Sequence, residues 1–264
     1  MLYVGLAALV TAVLVPVVTM AINISQMAWI RHVIPVPQSP PPRGHLIRGN
    51  RRNPSRITVA VVGDSFAAGY GASRPRETPA GLIAGRLARR LGCRVDLECL
   101  AVMGARTPDL TPQVDRAVAL RPHLVLLFVG GNDITNLSPP GRTGRELGEH
   151  VRRLRAAGAR VVVGGCPDLS VPPLVTRPLT WLMAGLSRRL SQAQAAHVRA
   201  AGGVYVDLFT ALSPAFSAWP QRMLSPDGFH PSADGYVVAA SAVLPAVMDA
   251  CTGLVSPVEL SPVG

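Results

Sequence analysis

The chain's fold is constrained most by short, wholly apolar runs that stop at glycine or a polar residue. Ile57–Gly63 reads ITVAVVG and His123–Val129 reads HLVLLFV. A strand with one face in water alternates apolar and polar side chains. An unbroken aliphatic run of this length instead fits a strand covered on both faces, as in a parallel sheet flanked by helices. Further β-rich runs are expected at Arg94–Val102, Arg160–Gly164 and Val204–Leu208. Helical stretches are expected between them, over Glu77–Leu91, Leu110–Leu120, Arg145–Ala157 and Leu174–Ala201. Gly158 suits the position just past a helix end. A loop after Leu208 then leads to a final helix over Pro231–Ala250, with Pro231 at its first position. This alternation predicts an α/β, three-layer α/β/α domain with a five-stranded parallel sheet and right-handed crossovers. Ligands of such sheets bind beyond the carboxyl ends of the strands, so the residues just after each strand carry the functional reading.

A length of 264 residues accommodates one such domain and an appendage. The appendage is amino-terminal. No charged side chain occurs between Met1 and Ile30, and Leu2–Ile24 is almost wholly apolar. At about 1.5 Å per residue this run spans roughly 34 Å, close to the hydrocarbon thickness of a bilayer. A core helix would need protein on every face, whereas a Pro-rich stretch (Ile34–Arg43) follows directly. Residues 1–30 therefore read as a transmembrane helix or signal anchor, and 31–55 as a Pro/Arg-rich linker. The globular domain is expected over 56–252, with a flexible tail over 253–264. Arg31 and Arg43 follow the span, which by the positive-inside rule favours a cytoplasmic domain. The Pro-rich spacer suits a domain held off an outer membrane face, and that is the side we assign. Thr19-Met20-Ala21 offers a cleavage site that would release the chain as an exported protein.

Every one of the 26 basic residues is arginine, and the formal charge is +11. Six of these arginines fall within residues 1–56, which hold no acid. The remainder lie on separate expected helices, with no basic stripe interleaved with aromatics, so nucleic-acid binding is not expected. Cys93, Cys99, Cys166 and Cys251 show no metal-binding spacing, and no metal or cofactor is implied.

Four strand-end blocks carry the chemistry. Gly63-Asp64-Ser65-Phe66 follows the first strand, and its small residues allow a sharp turn that leaves the Ser65 hydroxyl available. Leu100-Ala101-Val102-Met103-Gly104 follows the second, and Gly130-Gly131-Asn132-Asp133 the third. Ser225-Pro226-Asp227-Gly228-Phe229-His230 precedes the last helix. Each block alone reads as a turn or a cap; together they supply what acyl transfer needs. A serine hydroxyl becomes a good nucleophile when a neutral histidine takes its proton. Asp227, three residues before His230, can fix the imidazole tautomer. The N–H groups of Ser65 and Gly104 and the amide of Asn132 are candidate oxyanion donors. Asp64 and Asp133 read as local hydrogen-bonding residues, and Asp207 as a substitute for Asp227.

In this order and at these strand ends, the blocks GDS, Gly104, GGND and DGFHPSADGY resemble the SGNH (GDSL-type) hydrolases over roughly Arg56–Ala250. The resemblance implies a flavodoxin-like sheet and a serine esterase or lipase acting on a small-molecule or lipid ester without a cofactor. It also implies Ser65 as nucleophile, His230 as general base, Asp227 as its partner, and Ser65, Gly104 and Asn132 around the oxyanion. An acyltransferase or deacylase acting on cell-envelope glycans or lipids could use the same residues. Phe66, Met103 and Arg106 depart from the usual pattern of the family. Arg106 and, within the apolar stretch Pro167–Leu186, Trp181 are candidate substrate contacts.

Overall fold

The computed structural model describes residues 2–33 and 45–254. Residues 34–44 of the expected linker and 255–264 of the expected tail lie outside the described residues. In chain order the elements are α1 (Leu2–Val33), β1 (His45–Arg48), β2 (Arg56–Gly63), α2 (Ser65–Ala68), α3 (Pro79–Leu91), β3 (Arg94–Cys99), α4 (Thr111–Leu120) and β4 (Leu124–Phe128). They continue with α5 (Gly131–Thr135), α6 (Pro140–Ala156), β5 (Arg160–Gly164), α7 (Leu179–Ala200), β6 (Val204–Val206), α8 (Leu208–Ala218), α9 (Pro220–Met223) and α10 (Ala233–Cys251).

The sheet runs β1-β3-β2-β4-β5-β6. Strands β2 to β6 are parallel and have the flavodoxin-like order. The sheet has six strands rather than five: β1 pairs antiparallel with β3, from His45 opposite Glu98 to Arg48 opposite Val95. Only four residues long and inside a Pro/Arg-rich stretch, β1 has no periodicity to reveal it. It closes the edge that β3 would otherwise leave unpaired.

Both faces of the central strands are covered, as the apolar runs predict. Ile57, Val59 and Val61 of β2 and Leu124, Leu126 and Phe128 of β4 pack with Ile83 and Leu87 of α3 and Val243 and Val247 of α10. Their alternates Ala60, Val62, Val125 and Leu127 pack on the other face with Val114 of α4, Leu147 and Val151 of α6 and Val198 of α7. Two elements differ from expectation. The stretch after β6 is a helix, α8, which contains Pro214 and so carries a local breaker signal. Pro231 is not the first residue of the last helix. It forms an isolated bridge with Leu224, and Ser232 caps α10 by accepting from the Gly235 N–H.

Helix α1 divides in two. From Thr11 to Ile22 its side chains are exposed apart from Thr19, whereas Asn23, Met27 and Ile30 are buried. Met27 and Ile30 join Leu179, Met183 and Leu190 of α7, Ile134 of α5, and Cys166, Leu169 and Val175 in one apolar cluster. The Gln26 amide donates to Thr176 Oγ1 at 3.0 Å and to the Arg177 carbonyl at 3.2 Å.

At the carboxyl edge of the sheet, two buried glutamines satisfy backbone groups that the ladder leaves over. Gln113 of α4 accepts from the Gly63 N–H at 2.8 Å and donates to the Gly63 carbonyl at 3.0 Å. Gln194 of α7 accepts from the Cys166 N–H at 2.8 Å and donates to the Val129 carbonyl at 3.0 Å. Replacing Gln113 by leucine leaves the buried Gly63 N–H unpaired, while the Gly63 carbonyl keeps the Val102 N–H at 3.0 Å. Replacing Gln194 leaves both the Cys166 N–H and the Val129 carbonyl without their glutamine partner. Gln113→Leu is expected to lower the unfolding free energy by about 1–3 kcal/mol in urea denaturation, and Gln194→Leu by about 2–4 kcal/mol.

Candidate active site

Strand β2 ends at Gly63, whose φ is +143°. A Cβ there would lie 1.8 Å from the Phe128 carbonyl oxygen of β4, so only glycine lets the strands approach and the chain turn. Asp64 then caps α2, its Oδ1 accepting from the Phe66 N–H at 2.9 Å. This turn leaves Ser65 half-buried at the sheet edge, lining a cleft.

The second half of the site arrives on the loop between α9 and α10. The bridge between Leu224 and Pro231 closes that loop, and the Ser225 N–H donates to the His230 carbonyl at 2.7 Å. Inside it, Asp227 Oδ1 accepts from the Ser225 hydroxyl at 2.7 Å and from the N–H groups of Phe229 and His230, each at 2.9 Å. Asp227 Oδ2 lies 2.6 Å from His230 Nδ1, and His230 Nε2 lies 3.0 Å from Ser65 Oγ. A carboxylate beside Nδ1 favours the proton there, which leaves Nε2 as acceptor for the serine hydroxyl. The Tyr70 and Phe229 rings pack edge-on against the imidazole, with centroids at 4.7 Å and 5.2 Å. The Tyr236 hydroxyl, itself buried, donates to the Tyr70 carbonyl at 2.6 Å. These contacts set the imidazole plane.

Besides Ser65, the oxyanion candidates come from the turn after β3 and from α5. Asn132 lines the cleft, and its amide donates to the Ala105 carbonyl at 3.1 Å. An amide nitrogen has two protons, so one donor remains for a substrate oxygen. Gly104 stands one residue before Ala105 in an exposed turn with φ +77°, which the bond from the Val102 N–H to the Gly63 carbonyl ties to the end of β2. Asp133 joins the same two segments, accepting from the Thr107 N–H at 3.1 Å and its hydroxyl at 2.9 Å.

The carboxylates near the cleft are tuned in opposite directions. Burial resists ionisation of Asp227, but the hydrogen bonds from His230, Phe229 and Ser225 outweigh it and hold the pKa at about 2. Asp64 is pushed up to about 7, chiefly by burial, against the Phe66 N–H and the positive influence of His230. Burial likewise raises Asp133 to about 6, against its bonds from Thr107.

From Ser65 the cleft extends beneath α8 and encloses about 820 Å³, counted out to open solvent. Phe66, Phe128, Val171, Leu208, Leu212 and Phe216 give it an apolar wall. Gly164 lets the Phe128 ring and Leu208 pack onto the strand end in this wall, since a Cβ there would meet them at 2.5 Å and 2.9 Å. The arrangement thus offers an alcohol, a base in line with it, an amide donor and an apolar slot.

Ser65, Asn132 and His230 meet at this cleft, with Asp227 behind the imidazole. Two of the expected substrate contacts do not line it. Arg106 pairs with Asp109 at 3.1 Å and caps the 3-10 turn Thr107–Leu110, while Trp181 stands 65% exposed at the start of α7. Leu169 and Val171 of the Pro167–Leu186 stretch do line the cleft. Asp207 caps α8 through Thr210 and accepts from Ser191 at 3.1 Å, without bonding to His230. The roles of Gln113, Gln194, Thr107 and α8 at the site carry no signal in a single sequence. A buried glutamine in an amphipathic helix reads like any polar residue on a solvated face.

A model of the GDSL-like lipase/acylhydrolase family matches residues 61–238. A GDSL-like esterase of Mycobacterium tuberculosis is 40% identical over 240 residues, covering 87% of this chain and 76% of that protein. A lipase/acylhydrolase from Enterococcus faecalis superposes with a TM-score of 0.59 at 20% identity, covering 76% of this chain and 98% of the other. A psychrotrophic esterase from Pseudoalteromonas sp., in a structure inhibited by monoethylphosphonate, superposes with a TM-score of 0.57 at 15% identity and coverages of 73% and 97%.

The pKa directions carry a stability signature. Asp64 binds its proton more tightly folded than unfolded, so its favourable contribution is complete below the ordinary aspartate value of about 3.9 and is lost as pH rises through about 7. Asp227 has the opposite sign: its contribution is complete above about 3.9 and is lost as pH falls through about 2. Chemical denaturation across pH is expected to show stability falling between about pH 4 and pH 7. Asp64→Asn, which keeps the acceptor for Phe66, should flatten part of that fall; Asp133 contributes with the same sign, and His150, whose pKa burial lowers, with the opposite sign.

Proposed function

Since this chain belongs to the GDSL-like lipase/acylhydrolase family and is an ester-hydrolysing enzyme, we propose that Ser65 is its nucleophile and that turnover passes through an acyl-enzyme. The observation that carries this reading is the unbroken chain from Ser65 Oγ to His230 Nε2 and from His230 Nδ1 to Asp227, at the mouth of an apolar cleft.

The steps follow from the geometry. As Ser65 Oγ bonds to the ester carbonyl carbon, its proton passes to His230 Nε2. The imidazolium so formed faces Asp227, which stays ionised and stabilises it. The carbonyl oxygen becomes an oxyanion, met by the free amide proton of Asn132 and the N–H groups of Ser65 and Gly104; one such donor lowers the barrier by about 2.7–4 kcal/mol. Collapse breaks the bond to the alcohol, which leaves with the proton from His230. Water then donates its proton to His230 and attacks the acyl-serine carbonyl, and the acid is released as Ser65 recovers its proton. Asp133 and Thr107 position the Asn132 and Gly104 segments rather than touching substrate. The acyl chain lies along Phe128, Leu208, Leu212 and Phe216. α1 holds this domain at a membrane, a role supported by its candidate span Thr11–Ile30 and the exposed apolar surface of its first half.

The relay serves any attacking alcohol as well as water, so an acyltransferase or deacylase of envelope glycans or lipids is the second reading. Adding an acceptor alcohol separates them: hydrolysis yields the free acid, transfer a new ester. A fluorophosphonate is expected to label the protein once, at Ser65, as mapped by peptide mass spectrometry. Ser65→Ala and His230→Ala should each lower kcat/KM for a soluble ester by about 10⁴-fold or more, and Asp227→Asn by roughly 10³–10⁴-fold. Full activity in Ser65→Ala would remove the proposal.

A further inference from the structure

We propose that the cleft takes its ester from the bilayer that α1 enters, so that the substrate is a long-chain acyl ester of a membrane lipid reaching Ser65 along the α1–α7 face. This rests on the reading of α1 as a membrane span and deepens it. The division of α1 locates the bilayer surface. Leu2–Ile24 is about as long as the hydrocarbon layer is thick, and the first polar cluster after it is Asn23, Ser25 and Gln26. Docking begins at this point, with Asn23, Met27 and Ile30 buried against the domain and Gln26 bonded to Thr176 and Arg177. The domain therefore grips the helix at the level where it leaves the hydrocarbon.

The gripped stretch adjoins the catalytic cleft. The cluster that buries Met27 and Ile30 includes Leu169, which lines the cleft. Phe229, packed on that cluster, places its ring 5.2 Å from the His230 imidazole. A single apolar body thus links the membrane-level helix to the catalytic base. The two helices that meet in this body each carry an exposed tryptophan, Trp29 on α1 at 53% and Trp181 on α7 at 65%, with the Arg177 guanidinium 5.2 Å above the Trp181 ring. Tryptophan and arginine on one surface beside a membrane helix suit the headgroup layer, where an aromatic ring meets acyl chains and a cation meets phosphate. A long-chain lipid that left the bilayer would expose each methylene to water. Beside the bilayer, the apolar wall of Phe128, Leu208, Leu212 and Phe216 replaces hydrocarbon contact without that step.

The test uses the full chain reconstituted in dioleoylphosphatidylcholine vesicles. A fluorogenic long-chain diacyl ester is placed either in the same vesicles or in separate ones, and p-nitrophenyl butyrate in solution reports the catalytic machinery. The variant inserts a flexible Gly-Ser spacer between Ile22 and Asn23, which leaves the docked residues in place and lets the domain drift from the surface. A second variant, Trp29→Ser with Trp181→Ser, alters only exposed side chains. The expected result is lipid-ester hydrolysis at least about tenfold faster in the protein's own vesicles than in separate ones, from the gain in effective concentration. Both variants should lose most of that advantage while keeping the butyrate rate. Equal rates in the two vesicle arrangements, or a spacer variant as fast as the native chain on the lipid ester, would overturn the proposal. Release of the native chain from vesicles by alkaline carbonate would overturn it together with the span reading. Absence of butyrate hydrolysis would instead strike at the serine mechanism.

Discussion

The requirement that every backbone group at the carboxyl edge of a parallel sheet find a partner governs this molecule. Strands β2, β4 and β5 stop there together, buried on both faces, and the chain must turn away without water to satisfy its N–H and carbonyl groups. Gln113 and Gln194 meet that need from α4 and α7, at Gly63 and at Val129 and Cys166. Asp133 does so for Thr107. The turns that carry Ser65, Gly104 and Asn132 are thereby fixed from behind, and the candidate site gains the stiffness of the core.

Electrostatics complete the arrangement. Asp227 collects donors from Ser225, Phe229 and His230, which keeps it charged where an imidazolium must be stabilised. Asp64, adjacent to Ser65 and more deeply buried, is driven the other way. Two aspartates beside one serine–histidine pair are therefore shifted in opposite directions, because donors outweigh burial at Asp227 and burial outweighs donors at Asp64.

Much of this was legible in the residues. Continuous apolar runs gave β2 and β4, and the glycine-bounded blocks after them gave Ser65 and Asn132, because buried parallel strands and tight turns each need few residue types. His230 was legible as a base close to Asp227, but the device that holds it was not. A bridge between Leu224 and Pro231, rather than a helix start at Pro231, sets the loop, since long-range pairing of single residues leaves no periodic trace. Strand β1 was too short to register, and Pro214 disguised α8, so half of the cleft's apolar wall went unseen. Arg106 and Trp181 were singled out for their chemistry, but whether a side chain faces a cleft depends on its partners. Arg106 had Asp109 within reach.

The docking of α1 bears on processing. Scission after Ala21 would discard the exposed half of the helix yet retain Met27 and Ile30, so a shed form would keep its wedge against Leu179 and Met183. Trimming further, to the Pro-rich stretch, would strip that wedge away and bare a greasy seam beside Phe229. The leader segment and the catalytic body are in this respect one folding unit, and their border falls inside a helix.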